Sequence, residues 1–156
     1  MIARLVALAA LACAASGAWA QAGPHCGGDG RCRIAISVDA SRPCGEATIR
    51  VTPEVAEMGR APGQRTIVWR IDTPGYAFCD GDGIRFKRDD LDFQFFGAAA
   101  TDNDAGDDDA QGGCKRNFRW RDKNEAHTFG KRYEYLVRFT GPGGQACVKD
   151  PVIRNG

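Results

Sequence analysis

Apolar residues recur at every second position along this chain, and that period decides what it can fold into. The longest such run is Tyr133, Tyr135, Val137 and Phe139. Ile34, Ile36 and Val38 share one face of an earlier segment, with Ala35 and Ser37 opposite. Ile49 and Val51 alternate with Thr48 and Arg50, and Ile67, Trp69 and Ile71 alternate around Arg70. Phe93 and Phe95 point together with Gln94 opposite, and Phe118 and Trp120 point together with Arg119 and Arg121 on the reverse. Period two in β-branched and aromatic residues marks half-buried antiparallel strands. Asp72-Thr73-Pro74-Gly75, Asp80-Gly81-Asp82-Gly83 and Gly141-Pro142-Gly143-Gly144 separate the runs with turn chemistry. No apolar stripe of period 3.6 is sustained. The expectation is an all-β chain: an antiparallel two-sheet β-sandwich of seven to eight strands. At Thr52 to Gly59 a short helix with Thr52 as N-cap and Pro53 at its start competes with an extended edge segment. The edge is preferred, because Pro is tolerated there.

The N-terminus has a different pattern. Met1 to Ala20 carries a positive Arg4, an apolar run from Leu5 to Ala15 and a small-x-small site at Ala18-Trp19-Ala20. This reads as a signal peptide over 1–20, with the mature chain starting at Gln21 and residing in the periplasm or outside the cell. No later apolar run is long enough for a membrane helix, so no membrane span is expected. Residues 21–44 form a Gly- and Cys-rich arm leading into the first strand. Residues 45–156 form the sandwich body, interrupted by an acidic loop at 101–113.

Cys13 falls in the leader. The remaining six, Cys26, Cys32, Cys44, Cys79, Cys114 and Cys147, are an even number in an exported chain and suggest up to three disulfides. Six cysteines allow fifteen connectivities, and spacing does not choose among them. The preferred set joins Cys79 to Cys114 across the base of a long loop, Cys26 to Cys32 and Cys44 to Cys147. Zinc is the competing reading, weakened by the lack of a C-x-x-C pair and the scarcity of His.

Without Arg4, basic and acidic side chains balance, which argues against a general nucleic-acid or anionic-membrane binder. Their placement is uneven. Asp80 to Asp109 holds ten Asp against Arg85, Lys87 and Arg88, and Lys115 to Arg138 holds eight basic residues against Asp122, Glu125 and Glu134. These segments either neutralise each other or leave a basic face for an acidic partner. The candidate partner-binding residues are Arg119, Arg121, Arg132 and Arg138, facing a protein or an acidic glycan. In Lys115 to Arg121 the aromatics alternate away from the cations, which removes the base-stacking surface a nucleic-acid site needs.

Val51-Thr52-Pro53-Glu54-Val55, Gly63 and Ile67-Val68-Trp69 resemble the opening of a cupredoxin-like sandwich. Gly75-Tyr76-Ala77-Phe78, Asp82-Gly83-Ile84 and the ending Asp150-Pro151-Val152-Ile153-Arg154-Asn155 resemble small exported bacterial proteins of that shape. The resemblance covers 51–155 and implies a fold. It brings no activity. An immunoglobulin-like sandwich is the alternative: Trp69 follows Cys44 suitably, but no Tyr-x-Cys corner occurs. Blue copper needs two His, a Cys thiolate and usually an axial Met. Beyond the leader the chain has His25, His127 and Met58, and no ligand follows Cys147, so no copper is expected.

Thr101 to Gly113 offers Asp102, Asp104, Asp107, Asp108 and Asp109 as calcium ligands, with a solvated acidic loop as the competing reading. The spacing is not that of an EF-hand, since Gly106 holds its fifth position. Asp80 and Asp82 are read as turn formers. Ser37 and Ser41 lie outside any G-x-S-x-G elbow, and oxidised cysteines supply no thiolate. Carboxylate pairs such as Asp89 and Asp90 could act as acid and base only if buried. Asp150-Pro151 is read as strand entry. The leading expectation is therefore an exported, non-enzymatic binding or structural module of the bacterial envelope. A calcium-organised sandwich and an enzyme with an unrecognised carboxylate pair are the alternatives.

Overall fold

The computed structural model describes residue 26 and residues 29–79, 83–87, 94–101 and 113–155. The expected leader over 1–20, Asp80, Asp82, Phe93 and the five calcium candidates lie outside them.

Ten strands are present among the described residues, not seven to eight. They are β1 (Arg31–Val38), β2 (Ile49–Thr52), β3 (Val55–Glu57), β4 (Arg65–Ile71), β5 (Ile84–Phe86), β6 (Phe95–Thr101), β7 (Asn117–Asp122), β8 (Arg132–Thr140), β9 (Ala146–Lys149) and β10 (Val152–Arg154). One sheet has the order β2-β1-β4-β7-β6. The other runs β3-β10-β8-β5, with β9 also paired to β8. The expected antiparallel-only pairing is corrected: β1 and β4 run parallel, as do β10 and β3. Strand alternation sets which face is buried but says nothing of strand direction. Both parallel pairs join strands that are not neighbours in sequence, as parallel connections require. The extra strands span three or four residues each, too short to show a period. At Val55–Glu57 the extended edge segment forms, and β3 ends its sheet.

The alternating runs of β1, β2, β4, β7 and β8 bury the predicted faces, whereas Gln94, expected opposite Phe95, is itself buried just before β6. Ile34, Ile36, Ile67, Trp69, Ile71 and Phe118 come from the first sheet, and Tyr135, Val137, Phe139 and Ile153 from the second. Aromatic contacts stitch the layers together. Trp69 meets Tyr135 edge-on at 5.4 Å between centroids, and Phe86 stacks on Phe95 at 4.0 Å. The Trp69 indole N–H donates to the Tyr135 hydroxyl at 3.0 Å inside the core. Burial holds the Tyr135 phenol well above its ordinary pKa, so it stays a neutral partner. Where the chain passes between Phe78 and Phe118 there is room only for Gly83. A Cβ there would lie 2.6 Å from one ring and 2.7 Å from the other.

Three disulfides close the fold: Cys26–Cys32, Cys44–Cys147 and Cys79–Cys114. They are the set preferred from the sequence. Cys44–Cys147 spans 103 residues and ties the segment before β2 to β9.

Tyr135→Phe removes the acceptor of a buried indole N–H. It is expected to destabilise the protein by about 1–3 kcal/mol, read as a lower urea midpoint with an unchanged slope.

Candidate functional site

The first sheet buries one face and turns the other outward, and its outward face is built of arginine. In β1, Arg31 and Arg33 alternate with the buried Cys32 and Ile34. In β7, Arg119 and Arg121 flank Trp120, whose indole N–H points inward to the Ile84 carbonyl at 3.0 Å. β4 lies between them. Thr66 pairs with Arg31 on one side and Arg121 on the other, and Val68 pairs with Arg33 and Arg119. The four arginines therefore root at the corners of a lattice. It measures about 10 Å across two strand spacings and about 7 Å along two residues. Arg70 on β4 and Arg50 on β2 extend the same face, because Ala35 pairs with Arg70 and Ser37 with Arg50. No outward position of β1, β2, β4 or β7 carries an acidic residue.

Among the described residues, carboxylates bridge to this face at its ends. Asp29 bridges to Arg33 at 3.2 Å and Asp72 to Arg70 at 3.3 Å. Asp29 is held below the usual carboxylate range chiefly by the Arg31 backbone N–H, and also by the Arg33 guanidinium. Both pairs are solvent-exposed, so they are weak and leave the guanidiniums competent for another anion. Arg119 is half-buried and Arg121 exposed, and neither forms an ion pair within the described residues.

The four arginines grouped from the sequence do not share a surface. Arg119 and Arg121 sit on β7, whereas Arg132 and Arg138 sit on β8 in the opposite sheet. The outward side of that second sheet mixes charges. Lys87 bridges to Asp150 and Glu134, and Arg154 bridges to Glu57 at 3.2 Å. Arg31, Arg33, Arg50 and Arg70 were missed because only strand order brings them beside β7. Their outward orientation was already visible in the alternation.

Concavities flank the sheets. A groove of about 470 Å³ at the β2 edge is lined by Asp39, Arg42, Arg50, Glu54 and Lys149, among others. It holds two carboxylates, yet Asp39 is kept below its ordinary pKa by the Ser41 hydroxyl first and the Arg42 guanidinium next. It is an ionised turn anchor, unsuited to donating a proton at neutral pH. The second cleft, of about 650 Å³, lies between the 74–79 and 140–144 loops.

Among the described residues one carboxylate is fully buried. Asp122, at the end of β7, accepts from the Gln94 carboxamide and, at 2.8 Å, from the Asn124 backbone N–H. The Asn124 carboxamide donates on to the Gly59 and Ala61 carbonyls, and that of Asn155 donates to the Thr128 hydroxyl. The knot fastens the β3–β4 loop, β7 and the last strand at one end of the molecule. Burial raises the Asp122 pKa, opposed by the Asn124 N–H and the Gln94 amide. The buried atoms of the Asp122, Gln94, Asn124 and Asn155 side chains left without a partner are oxygens: Asp122 Oδ2, Gln94 Oε1, Asn124 Oδ1 and Asn155 Oδ1, while Nε of Arg65, the cross-strand neighbour of Asp122, is a buried donor without one. Among the described residues no group of three His, Cys, Asp or Glu is placed to hold a metal. His127 is exposed and lies 3.5 Å from Glu125. No family model, curated protein or solved structure matches this chain.

The raised pKa means that folding favours protonated Asp122. That stability is complete below the unfolded pKa of a carboxylate and is lost as pH rises through the folded value. Asp122→Asn keeps the shape, removes the charge and supplies a donor to the surplus acceptors. The variant is expected to gain melting temperature relative to the natural protein as pH rises from about 4 to 7. Paired thermal scans across that range check it.

Proposed function

We propose that this chain is an exported, non-enzymatic binding module of the bacterial envelope. The arginine face of β1, β4 and β7 is its working surface, and its partner is a polyanionic glycan. The observation that carries the reading is the register that sets Arg31 and Arg121 about Thr66, and Arg33 and Arg119 about Val68. Guanidinium forks match carboxylates and sulfates in two-pronged geometry, and a rigid sheet holds their roots at fixed spacing. A protein partner would call for an apolar centre with aromatic anchors. Among the described residues the exposed large hydrophobic is Val148, at 40 %, and it lies on the other sheet. The arginine face thus has charge without such a centre. That favours a polymer recognised by its anions.

Export is supported by the leader pattern together with three disulfides, which persist in oxidising compartments. No helix of the described residues is long and apolar enough to cross a membrane. The parallel pairs support a cupredoxin-like sandwich over an immunoglobulin-like one, whose sheets are antiparallel.

The test is titration of the exported protein with dextran sulfate, oligogalacturonate and polyglutamate. Replacing Arg31, Arg33, Arg119 and Arg121 by Ser is expected to weaken glycan binding by at least about tenfold. Replacing Arg132 and Arg138 should change it by less than about twofold, and added salt should weaken the natural protein. Unchanged glycan binding by the four-site variant overturns the assignment of the surface. Tighter binding of polyglutamate than of either glycan overturns the glycan and points to an acidic protein.

A further inference from the structure

The three disulfides differ in how they meet solvent. In Cys26–Cys32 and Cys44–Cys147 one sulfur-bearing residue of each pair is fully buried, Cys32 and Cys147 at 0 % exposure. The Cys79–Cys114 pair has no buried member: Cys79 is exposed and Cys114 half-exposed. Both line the 650 Å³ cleft, together with Pro74, Tyr76, Arg116 and Pro142. The cleft walls are fixed by backbone bonds beside the disulfide. Ala77 and Thr140 exchange N–H···O bonds at 2.9 and 2.8 Å, and Phe78 and Lys115 exchange a pair at 2.8 Å. The positions of the two cysteines therefore do not depend on the S–S bond alone. Cys114 precedes Lys115 and Arg116, and Arg116 is anchored at the cleft by bonds to the Ile71 and Asp72 carbonyls at 2.8 Å.

We propose that Cys79–Cys114 is a thiol–disulfide exchange site whose co-substrate is a dithiol of an envelope oxidoreductase. Exchange needs in-line access to one sulfur and a leaving thiolate that the protein can stabilise. Exposed Cys79 supplies the first. Cys114, which Lys115 and Arg116 follow in the chain, supplies the second through that local positive charge. The partner thiolate attacks Cys79 Sγ, the Cys79–Cys114 bond breaks, and its electron pair leaves on Cys114. The partner's second thiol then displaces Cys79, forming the partner's own disulfide and leaving two thiols here. Two electrons and two protons pass from the dithiol to this protein. In the other two pairs the member open to attack is only half-exposed, and the thiolate that leaves would be the fully buried Cys32 or Cys147, which burial disfavours. The site is distinct from the arginine face, and it stands or falls independently of the glycan reading.

The experiment treats the folded, oxidised exported protein with graded dithiothreitol, alkylates it under native conditions and maps each cysteine by mass spectrometry. Cys79 and Cys114 are expected to be labelled together, at least about tenfold faster than the other four. Glutathione should form its mixed disulfide on Cys79, and Lys115→Gln should slow exchange and reduce its sensitivity to salt. Concerted reduction of all three pairs, or earlier reduction of either other pair, overturns the proposal. So does glutathione found on Cys114 in place of Cys79. A Cys79→Ser, Cys114→Ser double variant that retains the melting curve to within a few degrees shows that the bond is dispensable to the fold. Collapse of that variant assigns the bond a structural role and overturns the site.

Discussion

The contact between Trp69 and Tyr135 fixes which side of each sheet faces in. Trp69 sits on β4, the middle strand of the first sheet, and Tyr135 sits on β8, the strand that β5, β9 and β10 all pair with. Their bond at 3.0 Å satisfies two polar groups that would otherwise be costly to bury. Around it, edge-on and stacked rings from both layers fill the space between the sheets. Because strands alternate strictly, placing Trp69 inward forces Thr66, Val68 and Arg70 outward. Pairing carries that orientation to β1 and β7. The arginine face is thus a consequence of the aromatic core.

The two outward faces have separate characters despite the overall charge balance. On the second sheet Glu57, Glu134 and Asp150 sit within reach of Arg154 and Lys87, so cations and anions offset each other locally. On the outward side of the first sheet the charged residues of the strands are all arginine, and like charges rooted on neighbouring strands repel. That repulsion costs stability unless an anion relieves it. A surface assembled from arginine and not lysine supports the proposed polyanionic partner.

Much of the fold was legible in the sequence because period two survives in any strand long enough to show it. β1, β4, β7 and β8 each announce their buried face. The three-residue strands β3, β5 and β10 contain one alternation at most and were lost among turns. Strand direction was illegible for a deeper reason: β1 pairs with β4 through a connection that leaves the sheet, and side-chain period is the same in parallel and antiparallel strands. The same limit split the predicted basic patch. β7 and β8 are consecutive among the long strands, so their arginines looked contiguous. The chain changes layer between them, by way of the buried Asp122–Asn124 turn and the segment leading to Lys131.

That layer change also explains the buried carboxylate. Asn124 takes a positive φ of 46°, a conformation that Asn adopts more readily than most residues. The backbone N–H it turns inward must find an acceptor, and Asp122 provides it two residues back. The Asn124 side chain then answers the carbonyls of Gly59 and Ala61, in the loop that enters β4. A buried acid is an expensive way to satisfy one N–H. Here it also receives Gln94 from the entry to β6, so the cost is shared over a knot that aligns the ends of β4, β6 and β7. Those ends set the register of Arg121 against Thr66. Asp122 is therefore a positioning element for the arginine lattice, although it touches none of the four guanidiniums' outward face.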